Sequence, residues 1–431
     1  MKLLRILLVL FVATFALGQQ PNLEGLWRAQ RFFPVEIHGT LILEREGDAW
    51  RADVAGRNVP AQVEKNRITF DLGADGSFRG ELQNDRIAGH WTQLRSVSGG
   101  YPFATPVTLT KERANRWRGT IAPLPDSMTF FLPVTREADG TLRTFLRNPE
   151  RNVGIFIGPA KVEVEASAVQ LAGRRNVSGR YDAESDTISL AIRGATYDFE
   201  RYTLPPLPAW SYRKPMALDD GWSVASAEEV GLDMAALTPL VAMLREPPVG
   251  SLTAYDVHAL LIARNGKMVV EEYFRGAHRE QLHDTRSAAK VVASILAGAA
   301  KVPASTKVYA AFGRTPADPR AQKLTLDHLL TMSSGLDCDD SDENSPGNED
   351  RMQEQTEQPD WYRLILDLKM IREPGEKATY CSIQPHLAGG VLQRAAGRPL
   401  PELMYDVLGK PLQMSRYYLS LAPNGDVYGG G

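Results

Sequence analysis

The sequence predicts a multidomain protein, an N-terminal all-β antiparallel barrel or sandwich followed by an α+β domain, and three observations carry that expectation. Between about residues 22 and 203, short segments of alternating apolar and polar residues recur between Gly, Asp and Asn breaks, the spacing of antiparallel strands. The run Leu204-Pro-Pro-Leu-Pro-Ala-Trp210 then removes backbone donors and stiffens the chain, as a linker does. Beyond it, amphipathic and apolar helical patterns appear. With 431 residues, 43% hydrophobic and 23% charged, the chain is long enough for two or more domains with cores of their own.

In order along the chain, residues 1–18 read as a signal peptide. Lys2 and Arg5 precede the apolar run Ile6 to Leu17, and Ala16-Leu17-Gly18 supplies small residues at a cleavage site. The run is too short to span a bilayer, so the mature chain is expected to start near Gln19, to be exported to the periplasm or secreted, and to carry no integral membrane segment. Residues 19–203 form the β domain, with strand-like segments at 39–44, 50–54, 67–72, 77–82, 86–92, 117–121, 128–134 and 141–146. Trp27-Arg28 and the strand ending Glu46-Gly47-Asp48 are echoed by Trp117-Arg118 and the strand ending Ala138-Asp139-Gly140. Two half-barrels of about 90 residues, or chance similarity among short strands, would account for it. The linker covers 204–222 and the second domain 223–431. A net charge of −3 gives no nucleic-acid footprint.

The second domain opens with an amphipathic helix, Ser226 to Arg245, capped by Ser226 with Glu228 and Glu229 in its first turn. Two strands, 258–264 and 267–273, flank Asn265-Gly266, a strong hairpin signal. Ser287-Ala-Ala-Lys290 follows, opening a stretch apolar nearly all round that should be a buried helix. Residues three apart on a helix share a face, so serine and lysine meet. An amine becomes a base at neutral pH only if its surroundings lower its pKa from about 10.4 toward 7, and that cost suggests nucleophilic catalysis. Asp284 or Thr285 can cap the helix, placing Ser287 in its first turn, where free amides favour a developing negative charge. Ser211-Tyr-Arg-Lys214 has the same spacing, but nothing in the linker aligns or desolvates the pair, so it is assigned to chance.

Two further stretches accompany the pair. His328-Leu-Leu-Thr-Met-Ser-Ser-Gly335 lies in a short helix stopped at Gly335, and Pro374-Gly375 leads through a turn to Tyr380-Cys381-Ser382 ahead of an apolar helix, 385–396. With these, residues 220–431 resemble the serine β-lactamase and penicillin-binding-protein superfamily, specifically its class C β-lactamase-like branch of D-alanyl-D-alanine peptidases, esterases and short-oligoamide hydrolases. The resemblance implies a β-lactamase/transpeptidase-like α+β fold, Ser287 as nucleophile, Lys290 as its proton partner, and Tyr380 as general acid/base. Without those companions, Tyr380 reads as an ordinary strand tyrosine.

The sequence departs from that family twice. Ser382 stands where the family has an asparagine that contacts the substrate's acyl amide, so Ser382 is expected to bind substrate with a shorter donor, and ester, amide or peptide hydrolysis gains over β-lactam hydrolysis. The family's third element, a Lys-Thr-Gly or His-x-Gly strand, does not appear before Gly431, so the domain is expected to be an incomplete, C-terminally truncated piece. The acidic run 337–360 holds ten carboxylates and Arg351; Asp342 and Asn348 stand where a calcium loop needs Gly and Glu, so a solvated loop over the site mouth is expected. The seven histidines show no zinc spacing; no metal or cofactor is expected. Cys338 and Cys381 flank segments assigned to one site, which favours a disulfide over two unpaired thiols; its closure contributes about 4 kcal/mol in the chain-entropy model.

The sequence therefore predicts an exported serine hydrolase acting through an acyl-enzyme on a small-molecule or peptide substrate. A non-catalytic cell-envelope binding protein, using its β domain and carrying an inert truncated hydrolase domain, is the alternative.

Overall fold

A computed structural model describes residues 21–32, 37–93, 102–122, 127–148, 159–173, 176–192, 194–203, 210–245, 257–274, 277–414 and 416–430. The expected signal peptide and the prolines of 204–209 lie outside the described residues.

The N-terminal region is all-β and antiparallel. Eight strands close one barrel: Gly25–Phe32, Ser127–Arg136, Leu142–Phe145, Pro159–Glu165, Ala168–Ala172, Val177–Asp182, Thr187–Ile192 and Ala195–Arg201, the last returning to the first through Trp27↔Arg201 and Arg28↔Glu200. Between its first two strands the chain builds another ring of Gly39–Glu46, Ala49–Val54, Arg57–Glu64, Arg67–Asp71, Ser77–Gln83, Arg86–Gln93, Phe103–Arg113 and Arg116–Ile121. Neighbours in sequence pair, and the ring closes where Gly39–Glu46 pairs with Arg116–Ile121. One barrel is thus inserted in the sequence of the other. Alternation explains both: Leu41 and Leu43, or Val169 and Leu171, point inward while their neighbours face outward. Trp27, Phe130 and Phe199 fill the first interior; Leu41, Ile68, Ile87 and Leu109 fill the second.

The strand-like segments read from the sequence all fall on these strands. The half-barrel reading does not hold: Trp27 and Trp117 belong to different barrels, and each barrel is complete. The segments read from the sequence leave out strands Arg57–Glu64 and Phe103–Arg113, which carry Pro60 and Pro106, and also Gly25–Phe32 and the five strands from Pro159 to Arg201.

In the C-terminal region a small sheet pairs Ala259–Arg264 antiparallel with Lys267–Tyr273 and sets Ser223–Val224 parallel to the latter. Asn265 and Gly266 adopt φ of 53° and 70°, as their two-residue turn requires. Helix Met234–Arg245 packs Leu237, Val241 and Leu244 against Val269, Val270 and Phe274. The expected helix from Ser226 starts later. Ser226 and Glu229 cap each other reciprocally, but over a single 3-10 turn that Gly231 ends with φ 66°. A helical layer of Lys290–Ala299, Leu326–Leu330, Glu349–Glu354, Trp361–Leu366, Ile383–Ala396 and Leu400–Met404 surrounds its own core.

The inserted barrel and the helical layer touch directly. Leu419–Ser420 adds to the edge of Phe103–Arg113, the buried His90 ring lies 3.0 Å from Tyr417 Oη, and Arg79 pairs with the buried Glu402 at 3.1 Å.

Candidate active site

Ser287 lies in a 3-10 turn, Arg286–Ala289, that runs straight into helix Lys290–Ala299. Asp284 starts the turn by accepting from Arg286 N at 3.0 Å, and Arg286 takes φ 47°. Upstream, ring nitrogens of His283 and His258 lie 2.8 Å apart, which fastens this loop to the first strand of the small sheet. Partial burial, followed by the His258 charge, holds the His283 pKa below its ordinary value.

The helix is buried on one side only. Lys290, Ala293, Leu296 and Ala297 face inward, whereas Val291 and Ile295 are 59% and 47% exposed, contrary to the expectation of all-round burial. Lys290 is therefore on the covered face, 9% exposed. Its Nζ donates to Ser287 Oγ at 2.9 Å and to the Gly430 carbonyl. Tyr380 reaches the same oxygen, its phenol donating to Ser287 Oγ at 2.7 Å. Lys290 Nζ also sits 5.4 Å from the centre of the Tyr380 ring. One hydroxyl thus accepts from an amine and a phenol at once. Ser211 and Lys214 do not share this setting; Lys214 is exposed and pairs with Glu229 at 3.1 Å.

The other two motif stretches build the wall that carries Tyr380. Helix Leu326–Leu330 is capped by Thr325 and His328. After it, Met332 and Gly335 turn the chain with φ of 54° and 76°. Gly335 passes so close to Arg372 that a β-carbon there would meet its carbonyl oxygen at 2.5 Å. Gly375 donates to Ser333 O at 2.8 Å and faces the His328 ring, so Pro374-Gly375 packs on the His328–Gly335 run.

Ser382 is not at the open site. It is fully buried at the start of helix Ile383–Ala396, and its hydroxyl donates to Asp340 Oδ2 at 2.6 Å, with Glu349 Oε2 at 2.9 Å. The two carboxylates thus take up its donor inside the fold. Cys338 and Cys381 are paired, with Cα atoms 5.9 Å apart and both residues buried. The acidic run is more ordered than a solvated loop. Residues 341–344 are exposed, but Asn348 caps helix Glu349–Glu354, Asp360 caps helix Trp361–Leu366, and Asp340 turns inward. Asp340 and Gln384, whose Nε2 donates to Thr379 O at 3.1 Å, were not singled out by the sequence. The signal for Asp340 was present but diluted among nine other carboxylates.

Residues 254–429 match the Beta-lactamase family model, so the C-terminal region carries a Beta-lactamase-family domain of the serine β-lactamase and penicillin-binding-protein superfamily. Among solved structures, 24 chains match. One, described as a 6-aminohexanoate-dimer hydrolase from Bacillus anthracis, is 18% identical with a TM-score of 0.34, over 40% of this chain and 49% of its own. The chain thus spans about half the length of that structure. No curated protein sequence matches it.

Proposed function

We propose that this protein is an exported serine hydrolase that cleaves an amide, ester or peptide bond of a small-molecule or peptide substrate through an acyl-enzyme on Ser287. The observation that carries the reading is the convergence of Lys290 Nζ and Tyr380 Oη on Ser287 Oγ. In the first half-reaction Oγ bonds to the substrate's carbonyl carbon while its proton passes to the lysine and tyrosine pair. The phenol then returns a proton to the leaving amine or alcohol as the carbonyl–heteroatom bond breaks. In the second, water attacks the ester, gives its proton to the same pair, and Ser287 leaves with a proton restored.

A fluorophosphonate or fluorescent penicillin is expected to label the protein, with the adduct on the Ser287 peptide, and Ser287→Ala is expected to abolish labelling. Labelling that persists in the alanine variant would remove Ser287 as nucleophile. The leader-like residues 1–18 and the paired cysteines support export. Thiols that react in the unfolded protein without prior reduction would count against an oxidising compartment.

A further inference from the structure

Tyr380 sits in coil, and its residue is 49% exposed, yet its phenol has to stay 2.7 Å from Ser287 Oγ. Irregular, exposed backbone is ordinarily the mobile part of a fold, so the position needs an anchor. On the N-terminal side, Thr379 N donates to Met332 O at 2.9 Å, and Thr379 Oγ1 and O accept from Arg372 and Gln384 at 2.9 and 3.1 Å. On the other side the ties run to one residue, Asp340. Its backbone N donates to Tyr380 O at 3.0 Å, and its Oδ2 accepts from Ser382 N at 2.7 Å and Ser382 Oγ at 2.6 Å. Its second oxygen accepts from Glu349 N at 3.0 Å, so three donors lock the carboxylate's own orientation. Two residues before Asp340, Cys338 joins Cys381 across the same junction.

We infer that Asp340, with Ser382 as its buried partner, is the positioning residue that fixes Tyr380 against the nucleophile. The inference rests on the acyl-enzyme reading and extends it: the position that the resemblance assigns to substrate contact has become part of the clamp on the proton donor. Asp340 grips the carbonyl of Tyr380 and both donors of the residue two places on, so the peptide units flanking the tyrosine cannot rotate without breaking one of these bonds. A displacement of about 1 Å in a catalytic group costs on the order of 100-fold in rate.

The test uses the full chain with Asp340→Ala, Asp340→Asn, Ser382→Ala and the double alanine variant. Rates of fluorophosphonate labelling are measured, with kcat and KM for a p-nitrophenyl ester, and the fluorine spectrum of 3-fluorotyrosine incorporated at position 380 alone. Asp340→Ala is expected to label about 100-fold more slowly, with the loss in kcat and little in KM. Adding Ser382→Ala should then cost almost nothing more, and Asp340→Asn, which keeps an acceptor oxygen, should recover part of the rate. The single fluorine line should broaden or split.

A folded Asp340→Ala protein that reacts within about threefold of the parent, or losses that simply add in the double variant, would overturn the inference. Should Asp340→Ala not fold, Ser382→Ala removes one hydroxyl and carries the test, with a loss of about tenfold expected and an unchanged rate overturning it. If the parent chain itself is not labelled, the acyl-enzyme reading fails separately. The fluorine line then decides alone: unchanged in both single alanine variants, it sinks the positioning role.

Discussion

Ser287, Lys290 and Tyr380 differ in how visible they were before folding. Serine and lysine are three apart on one turn, so helical geometry alone puts them together. Tyr380 is distant in sequence and was identified through the family resemblance, since nothing local distinguishes it from a strand tyrosine. Ser382 was legible as a departure but its direction was not, because the carboxylates that draw it inward arrive from residues 340 and 349 through the tertiary fold. Removing only the phenol oxygen tests the role of Tyr380. Tyr380→Phe leaves a ring beside Lys290, so the variant is expected to fold normally and to lose about 10²- to 10⁴-fold in kcat, measured with an activated ester. Turnover equal to the parent would take Tyr380 out of the proton relay. Lys290→Met should likewise slow fluorophosphonate labelling by at least about 100-fold, because a thioether cannot accept the serine proton; unchanged labelling would argue that the lysine is a packing residue.

At the level of elements, turn chemistry and period-two alternation were dependable wherever they were undiluted. The hairpin about Asn265-Gly266 formed as read, because two successive positive φ values suit Asn and Gly above other residues. Two proline-bearing strands of the inserted barrel were among those left out, and the all-apolar reading of helix Lys290–Ala299 overstated its burial, since composition does not say how many neighbours an element will receive. Gly335 lies in the turn after helix Leu326–Leu330, which ends at Leu330 and not at Gly335 as expected; the glycine takes φ 76° and lies against the Arg372 carbonyl. Gly335→Ala is expected to destabilise the protein by about 2 kcal/mol or more, seen as a lower Tm, since the backbone conformation and the contact both oppose a β-carbon. A Tm equal to the parent's would mean that the turn adjusts freely.

For the whole molecule, two buried histidines make the packing sensitive to acid. His90, at the junction between the inserted barrel and the helical layer, is held at a pKa of about 4 by burial and then by Arg79. His386, inside the helical core against Tyr362, is held at about 3 by burial. Both values lie below the ordinary 6.5, so the neutral rings favour the folded state fully above about pH 6.5. That contribution is lost as pH falls through the window between the ordinary and the folded values, and for His90 it amounts to about 3 kcal/mol. Thermal midpoints are expected to drop between pH 6.5 and 4, and His90→Gln should flatten that part of the profile. A profile flat across this window in the parent would show that neither ring is held neutral.

The insertion of one barrel within the other also orders events as the chain emerges N-terminus first into the compartment where it folds. The inner ring can close once the strand ending at Ile121 has emerged, because all eight of its strands are then present. Strand Gly25–Phe32, made earlier, has no neighbour until Ser127–Arg136 emerges, and its second edge stays open until Arg201 arrives to meet Trp27. The first strand translated is thus the last to be enclosed. During that interval an unpaired strand carrying a tryptophan waits beside an already finished barrel, which makes residues 25–32 the segment a holding chaperone would be expected to shield.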